Sequence, residues 1–280
     1  MKVSAISLTI GFGVIAVFAS FGWNGWLVVP VTLLLHMPLF LAVAHPGVGW
    51  ICPGFLRAGP GVGRVVALTF DDGPSPTVTA DVLDVLKRQG AIATFFCIGR
   101  AVRRRPELAA RIAAEGHELG NHSYLHPRNI YCWDERAVRR DADLAQRVIH
   151  RAAGVWPVAY RPPVGFRSLG MAAALRSCGL RMVLYSARAF EATGPSADRI
   201  VSRIMRQVTP GAVVLLHDGH DLDAAPDRRA LLAALPVLID RLAAAGYSFV
   251  TVSELMDQVP NSTACVLNAD ISIDGVGVTR

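Results

Sequence analysis

The order of apolar and polar positions predicts alternating strands and helices from residue 65 onward. Residues 65–70 form a continuous β-branched and apolar run, which is typical of a buried strand. Residues 77–89 instead carry apolar side chains at helical spacing and end at Gly90, which indicates an amphipathic helix. Further strands are predicted at 92–98, 117–121, 158–160, 181–186, 212–216 and 247–250, and further helices at 106–115, 134–153, 168–178, 196–207 and 228–245. About seven strand–helix units in roughly 200 residues favour an α/β fold with a (β/α) barrel over an open parallel sheet.

The first part of the chain follows a different pattern. Residues 3–56 contain no Lys, Arg, Asp or Glu. Within them, residues 5–22 and 26–44 each approach the ~20 apolar residues that cross a bilayer as a helix. We therefore predict an N-terminal transmembrane helical hairpin that contacts the lipid bilayer. A cleaved signal peptide is the alternative, because residues 17–19 resemble a cleavage site.

These patterns divide the chain into four segments. They are two transmembrane helices at 1–44, a Gly/Pro-rich juxtamembrane linker at 45–63, a catalytic domain at 64–258 and an irregular C-terminal tail at 259–280. Lys2 precedes the hairpin, Arg57 and Arg64 follow it, and the turn between its helices carries no charge. The positive-inside rule therefore predicts a multi-pass protein of a bacterial-type inner membrane with a cytoplasmic catalytic domain, and a periplasmic domain is the alternative.

The net charge of +6 comes almost entirely from the residues after the hairpin. Its densest runs are residues 103–105 and 139–140. We interpret them as solvated helix faces, and the alternative is attraction to anionic headgroups or to a phosphate-bearing lipid substrate. No motif of the chain resembles a nucleic-acid-binding module, so we expect no nucleic-acid partner.

Two pairs of polar residues predict a metal site. Asp71 and Asp72 directly follow the strand at 65–70. Adjacent carboxylates repel each other unless a cation lies between them. His122 and His126 are spaced so that one helical turn would bring both imidazoles to the same face. Two histidines and one carboxylate are a common catalytic ligand set for Zn²⁺ or another divalent metal.

Two further residues suit catalysis beside such a metal. Arg161 precedes the stiff turn Pro162-Pro163, and its permanently charged guanidinium is suited to orienting Asp71. His217 follows the strand at 212–216, and a histidine at a strand end is a candidate general acid near neutral pH. The carboxyl ends of the strands of a parallel α/β fold are where functional residues collect.

The motifs Asp-Asp-Gly-Pro, His-x-x-x-His, Arg-Pro-Pro-x-Gly and Leu-x-His occur in this order between residues 64 and 256. Together they resemble the polysaccharide deacetylases with a NodB-homology domain, of the carbohydrate esterase family 4 type. The resemblance implies a distorted (β/α) barrel and metal-dependent removal of an acyl group from a sugar. It implies that Asp71 is the catalytic base, that Arg161 holds this base and that His217 is the acid.

The same resemblance assigns the remaining site residues. It implies that Asp72, His122 and His126 bind the divalent metal, with Zn²⁺ expected first and Co²⁺, Ni²⁺ or Mn²⁺ as alternatives. It also implies that Leu215 lines a small acyl pocket. In the mechanism we expect, a backbone N–H near Val164 holds the tetrahedral oxyanion.

The chain departs from the family pattern at two places. Val164 stands where the family usually has an aromatic residue. The fourth motif, D-x-x-D/N-W, has Arg188 in place of an acid and Ala192 in place of the tryptophan, while Glu191 is still placed to tune His217. The aromatic wall that stacks a polymer's sugar is therefore reduced. Arg188 could instead contact a phosphate, and neutral drift is the alternative.

We expect a hydrolase that removes an N-acyl group, acetyl or formyl, from an amino sugar of a glycan or a lipid-linked saccharide. A lipid-linked sugar facing the cytoplasm is favoured, because similar membrane enzymes of the family deformylate a polyprenyl-phosphate amino sugar. One alternative is a periplasmic deacetylase of peptidoglycan or exopolysaccharide. Another is an inactive metal-binding subunit of a glycan-assembly complex.

Overall fold

The computed structural model describes residues 34, 37, 52–59, 61–220 and 227–259 of the 280-residue chain. Eight strands form a single sheet in this part of the chain. They are β1 (Val65–Asp71), β2 (Thr94–Cys97), β3 (Glu118–Asn121), β4 (Ala159–Tyr160), β5 (Arg181–Met182), β6 (Ala187–Arg188), β7 (Ala212–His217) and β8 (Ser248–Phe249). All of their pairings are parallel, in the order β5-β4-β3-β2-β1-β7-β6, and β8 pairs with the start of β1.

Helices follow most of the strands. They are α1 (Thr79–Gln89), α2 (Gly99–Arg104), α3 (Pro106–Ala114), α4 (Glu135–Ala153), α5 (Met171–Ser177), α6 (Ala197–Met205), α7 (Arg229–Ala244) and α8 (Val252–Asp257). Three short 3₁₀ turns lie at Ile130–Cys132, Pro163–Gly165 and Glu191–Thr193. The predicted alternation of strands and helices is confirmed, with eight strands in the described residues against the expected seven or so. Helices α2 and α8 have no counterpart in the sequence-based prediction.

One predicted strand is wrong. Of the predicted strand 181–186, only Arg181–Met182 forms a strand, β5, which pairs with β4. The next strand, β6, begins at Ala187 and pairs with β7 in another part of the sheet. Between them, Val183 forms a bridge with Phe55, and Leu184 donates its backbone N–H to the Phe55 carbonyl at 2.7 Å. Strand β5 therefore ends at Met182, because the backbone of the next residues pairs with Phe55.

Residues 52–58, which the sequence-based division placed in the linker, pack into the wall of the barrel. Phe55 bridges to Val183 after β5, and Arg57 bridges to Ala212 at the start of β7. This segment thus links the end of the edge strand β5 to β7, the neighbour of the other edge strand β6, and gives a distorted, partly closed parallel barrel. The outer limits of the segments, at residues 44 and 258, stay predictions.

Alternation along the strands separates two cores. On β1, Leu68 and Phe70 pack with the helices, whereas Thr69 and Asp71 lie on the opposite, interior face. The interior is filled by Phe96 and other apolar side chains of the strands, and three apolar residues of α8 pack against them. Its polar residues lie at the carboxyl ends of the strands, where the chemistry was expected.

Among the residues that the structure describes, no helix combines the length and the hydropathy needed to span a bilayer. The two predicted transmembrane segments, 5–22 and 26–44, lie outside the described residues except for Leu34 and Met37.

Candidate metal centre and active site

The structure brings the predicted metal-binding and catalytic residues, which come from four separate stretches of the chain, together at one end of the barrel. Asp71 ends β1 and is the register partner of His217, which ends the neighbouring strand β7. His122 directly follows β3, and its Nδ1 lies 2.8 Å from the carbonyl oxygen of Arg161, which follows β4. Because parallel strands direct their carboxyl ends to the same edge, residues 39 to 146 positions apart in the chain become neighbours.

Asp72, His122 and His126 form a cluster with the geometry of a metal site. Asp72 Oδ1 lies 3.2 Å from His126 Nε2 and 3.4 Å from His122 Nε2, and one ligand atom from each residue lies within 4.8 Å of the other two. Two ligand atoms about 2.1 Å from an ion at the tetrahedral angle are separated by about 3.4 Å. Asp72 Oδ1 is buried without a hydrogen-bond partner in the described part of the chain. The three residues therefore fit a divalent cation.

The electrostatics of the cluster suit a cation as well. Burial alone would raise the pKa of Asp72, but the neighbouring imidazoles of His122, His217 and His126 hold this pKa well below its usual range, so the carboxylate stays ionised. The Arg161 carbonyl accepts a hydrogen bond from the Nδ1–H of His122, which leaves the lone pair on Nε2 for a metal. The backbone φ of Asp72 is 72°, which is not a strand conformation. Strand β1 therefore ends at Asp71, and the alternation of side chains along the strand does not extend to Asp72.

The two histidines meet through a turn, so the predicted helical turn is wrong. Ser123 and His126 have positive φ angles of 69° and 55°. The carboxylate of Asp141, on α4, accepts hydrogen bonds from Ser123 Oγ at 2.5 Å, from Tyr124 N–H at 2.8 Å and from Leu125 N–H at 3.1 Å. Ser123 Oγ in turn accepts a hydrogen bond from His126 N–H at 3.0 Å. Asp141 therefore fixes the backbone that carries the second histidine.

Arg161 holds Asp71 as predicted, through one nitrogen. Its Nη1 donates to Asp71 Oδ1 and to Thr69 Oγ1, both at 2.7 Å, and its Nη2 donates to the Leu184 carbonyl at 2.9 Å. The guanidinium carbon lies 4.1 Å from the centroid of the Phe96 ring, and only 1% of Arg161 is exposed. These contacts fix Asp71 at one carboxylate oxygen.

The other oxygen of this carboxylate faces the metal cluster. Asp71 Oδ2 lies 3.8 Å from His122 Nε2. The carboxylate can therefore accept a proton next to the position that a cation would occupy, while its Oδ1 stays bonded to Arg161.

His217 pairs with Glu191, as its place in the fourth motif suggested. His217 Nδ1 lies 2.5 Å from Glu191 Oε1, and the Glu191 side chain is buried. Burial alone would lower the pKa of His217, but the hydrogen bond to Glu191 and the charges of Glu191, Asp71 and Asp72 raise this pKa to about 9. The imidazole is therefore protonated at neutral pH, and Nε2 is the nitrogen that can deliver a proton to a leaving group.

Comparison with known proteins identifies the family. Residues 58–183 match the family model of the polysaccharide deacetylases. Over 198 residues, the chain is 36% identical to a peptidoglycan-N-acetylglucosamine deacetylase of Bacillus cereus. The aligned region covers 69% of this chain and 88% of the relative. The chain belongs to the polysaccharide deacetylase family. A chitooligosaccharide deacetylase of a Bradyrhizobium species is 38% identical over 199 residues, covering 69% of this chain and 90% of the relative.

A solved structure shows the same fold with a metal. The family 4 acetyl xylan esterase from Clostridium thermocellum, in complex with a cobalt ion, has a TM-score of 0.64 and 31% identity, covering 70% of this chain and 93% of that one. Polysaccharide deacetylases of this type hydrolyse N-acetyl amide bonds on sugars and use a divalent metal. The cluster of Asp72, His122 and His126 is the candidate position for that metal in this chain.

Two of the residues predicted to line the pocket lie near the carboxyl ends of β7 and β4. Leu215 lies two residues before His217 on β7, and alternation places both on the interior face. Val164 lies in the turn Pro163–Gly165 with a φ of 52°, which is uncommon for a β-branched residue and typical of functional turns. The N–H of Gly165 donates to a carbonyl of this turn, whereas that of Val164 donates to no backbone carbonyl in the described residues.

Several residues of the deacetylase site have no counterpart in the sequence-based prediction. Asp218 is buried, accepts a hydrogen bond from Thr79 Oγ1 at 2.5 Å, and has its pKa raised to about 7 by burial. Its position directly after His217 was a visible signal, as was Thr69, two residues before Asp71 on the same strand face. Asp141 offered no signal, because a polar residue on an amphipathic helix resembles its solvated neighbours.

Proposed function

We propose that this protein is a metal-dependent deacetylase that hydrolyses the N-acetyl group of an amino sugar in a glycan. The observation that carries the proposal is the buried cluster of Asp72, His122 and His126 beside Asp71, whose carboxylate is fixed by Arg161. The cluster supplies a metal position, and Asp71 supplies a base next to it.

A divalent ion at this cluster would provide Lewis-acid polarisation of the acyl carbonyl and activation of a water molecule. Asp71 accepts the proton of the attacking water, with its other oxygen held by Arg161. In this proposal, the backbone N–H of Val164 stabilises the oxyanion that forms as the water oxygen bonds to the carbonyl carbon. His217 then donates its proton to the sugar nitrogen as the carbon–nitrogen bond breaks, which releases acetate and a free amine.

The proposed substrates are glycans that contain N-acetylglucosamine, since two relatives are named for activity on peptidoglycan and on chitooligosaccharides. A lipid-linked saccharide is the second candidate, with acetyl or formyl as its acyl group. It is favoured by the charge-free residues 3–56, which would anchor a cytoplasmic catalytic domain at a membrane as a helical hairpin, and by Arg188 beside the site. A topology reporter fused to the C-terminus distinguishes this cytoplasmic placement from a periplasmic one.

The role of Asp71 and that of the metal ligands can be separated by two variants. We expect Asp71→Asn to bind metal as the parent does and to lose roughly 10²-fold or more of the turnover, since an amide cannot accept the proton. We expect His126→Ala to lose metal, because one of three protein ligands is gone. Metal content and acetate release from an N-acetylchitooligosaccharide are measured on the purified proteins, after removal of metal and reloading with Zn²⁺, Co²⁺, Ni²⁺ or Mn²⁺.

Two outcomes would contradict the proposal. An Asp71→Asn protein that kept most of its activity would show that Asp71 is not the base. Failure of the reloaded parent protein to release acetate or formate from any acylated amino sugar would favour an inactive metal-binding subunit.

A further inference from the structure

Three side chains beside the proposed site form a stack that the reaction does not use. The guanidinium carbon of Arg188 lies 4.0 Å from the ring centroid of Phe190 and 5.5 Å from that of Tyr185. Arg188 Nη1 also donates a hydrogen bond to the Tyr185 hydroxyl at 2.9 Å. We call these three residues the Arg188 stack. Cation–π contacts and this hydrogen bond hold the planar guanidinium in place, so that it would lose little conformational entropy on binding a ligand.

The register of the sheet places the Arg188 stack at the rim of the active site. Arg188 is the register partner of Leu215, which lies two residues before His217. Ala187 packs in the helix-side core, so alternation directs Arg188 to the interior face that Leu215 and His217 share. Three residues after Arg188, Glu191 is hydrogen bonded to His217.

The other side of the Arg188 stack faces the turn that carries Val164. The Tyr185 hydroxyl oxygen lies 3.9 Å from the position that a Cβ atom would take at Gly165, the residue after Val164. The stack therefore lies between this turn and the pair of His217 and Glu191. A sugar whose acyl group reaches the metal cluster would extend its neighbouring groups over this rim.

The charge of Arg188 is not neutralised within the described part of the protein. No carboxylate oxygen of these residues lies within 4.0 Å of its guanidinium nitrogens. The side chain is half-buried, and 48% of the neighbouring Phe190 is exposed. A guanidinium has five N–H donors in a fork that matches the oxygens of a carboxylate or a phosphate. The Tyr185 hydroxyl occupies only one donor nitrogen, so donors remain for a ligand.

We propose that the Arg188 stack is a subsite for an anionic substituent of the sugar chain, a carboxylate or a phosphate, next to the sugar that is deacetylated. The guanidinium binds two oxygens of this anion, and the exposed Phe190 ring packs against the adjoining sugar. This inference rests on the proposed deacetylase function and adds a charge preference to it. The anion could come from a carboxylate-bearing glycan or from the phosphate of a lipid-linked saccharide, which share the chemistry that Arg188 recognises.

The test compares three acetylated substrates of equal length: a neutral N-acetylchitooligosaccharide, the same oligosaccharide with a carboxylate ether on the sugar next to the cleaved group, and the same oligosaccharide with a phosphate there. For the parent protein we expect kcat/KM to be about tenfold higher for at least one anionic substrate than for the neutral one. In Arg188→Gln, kcat/KM for that substrate should fall at least ten times more than kcat/KM for the neutral substrate, chiefly through KM. Arg188→Lys should restore part of the difference, since it keeps the charge and loses the fork.

The matched control is Arg88→Gln. Arg88 is an exposed arginine in the last turn of α1, and that end of the helix lies at the opposite edge of the sheet from the site. The control should leave all three kcat/KM values within about twofold. The preference of the parent protein should also weaken as salt rises from low to physiological concentration, because the subsite lies at the rim.

The outcomes separate the subsite from the proposed function. A response to the carboxylate alone or to the phosphate alone supports the subsite and identifies the source of the anion. An equal loss on neutral and anionic substrates in Arg188→Gln would assign Arg188 a structural role and overturn the inference, as would no loss on any substrate. If the parent protein deacetylates none of the three, the proposed function itself fails.

Discussion

The hydrogen bonds of Asp141 lead to a prediction about metal affinity. This carboxylate lies outside the candidate metal cluster, yet it accepts three hydrogen bonds from residues 123–125, which connect the two candidate histidine ligands. Asp141→Asn keeps the shape of the side chain and replaces one acceptor oxygen with an NH₂ group. At least one donor of the turn then loses its acceptor and faces another donor instead. We expect the turn that presents His126 to lose stability while the rest of the barrel stays folded.

The magnitude follows from the bonds that are lost. A hydrogen bond to a charged group contributes roughly 1.5–3 kcal/mol, and a buried donor without a partner costs a similar amount. A loss of about 2 kcal/mol in the turn that presents His126 corresponds to about 30-fold weaker metal binding. This value lies within the 10- to 100-fold range that is typical of residues that orient metal ligands. The free energy of unfolding of the metal-free protein should fall by about the same 2 kcal/mol.

The assay is competition for the metal against a chromogenic chelator, with far-UV circular dichroism to confirm that the variant is folded. Asp143→Asn is the matched control, because Asp143 lies two residues along α4, its side chain is 47% exposed, and its one ion pair within the described residues is with Arg147 at 2.9 Å. The control should bind metal within about twofold of the parent, as expected for an exposed ion pair. A folded Asp141→Asn protein with the metal affinity of the control would refute the idea that Asp141 positions the histidine.

Three further predictions concern charge and packing around the site. Glu191→Gln removes the negative charge next to His217, so the pKa of His217 should fall from about 9. The alkaline limb of the pH profile of kcat/KM should then move to lower pH by roughly one to two units, and an unmoved limb would exclude the pairing of the two side chains. Gly120→Ala places a Cβ 2.5 Å from the Phe96 ring, so denaturant unfolding should show a loss of about 1–3 kcal/mol, whereas parent-like stability would mean that the ring can shift. The pKa of Asp218 is raised to about 7, so this carboxyl stays protonated in the folded protein at pH values where the unfolded chain ionises it. The free energy of unfolding of the metal-free protein should therefore fall as pH rises from about 4 to about 7, and Asp218→Asn should flatten this dependence in a pH series of unfolding curves.

The fold could be predicted as far as local periodicity decides it. The run at 65–70 and the helix that ends at Gly90 have clear patterns, and β1 and α1 lie where these patterns place them. The end of β5 at Met182 could not be predicted, since residues 181–186 contain no Gly or Pro and resemble one strand. It arises because Val183 and Leu184 pair with Phe55, more than 120 positions earlier in the chain. Such pairing is a tertiary contact that local sequence does not record.

The site shows a similar limit. Asp71, Asp72, His122 and His126 could be placed together because reactive residues at the ends of parallel strands share one edge of the sheet. How the second histidine reaches that edge could not be predicted. Its spacing fits a helical turn equally well, and the actual turn depends on Asp141, which has the same local surroundings in the sequence as the half-exposed Asp143.

Arg161 and Arg188 show why residue type alone does not assign a role at this site. Both guanidinium groups lie against aromatic rings at the carboxyl end of the barrel. Arg161 is buried and donates to a carboxylate, a hydroxyl and a carbonyl of the protein, so its hydrogen bonds fix Asp71 and leave little for a ligand. Arg188 is half-buried and donates its side-chain hydrogen bond to one phenol oxygen. A partly buried cation that has no acidic partner among the described residues is stabilised by an anion that reaches it. The unused donors of Arg188 therefore favour ligand binding, whereas the hydrogen bonds that Arg161 already makes favour positioning of the base.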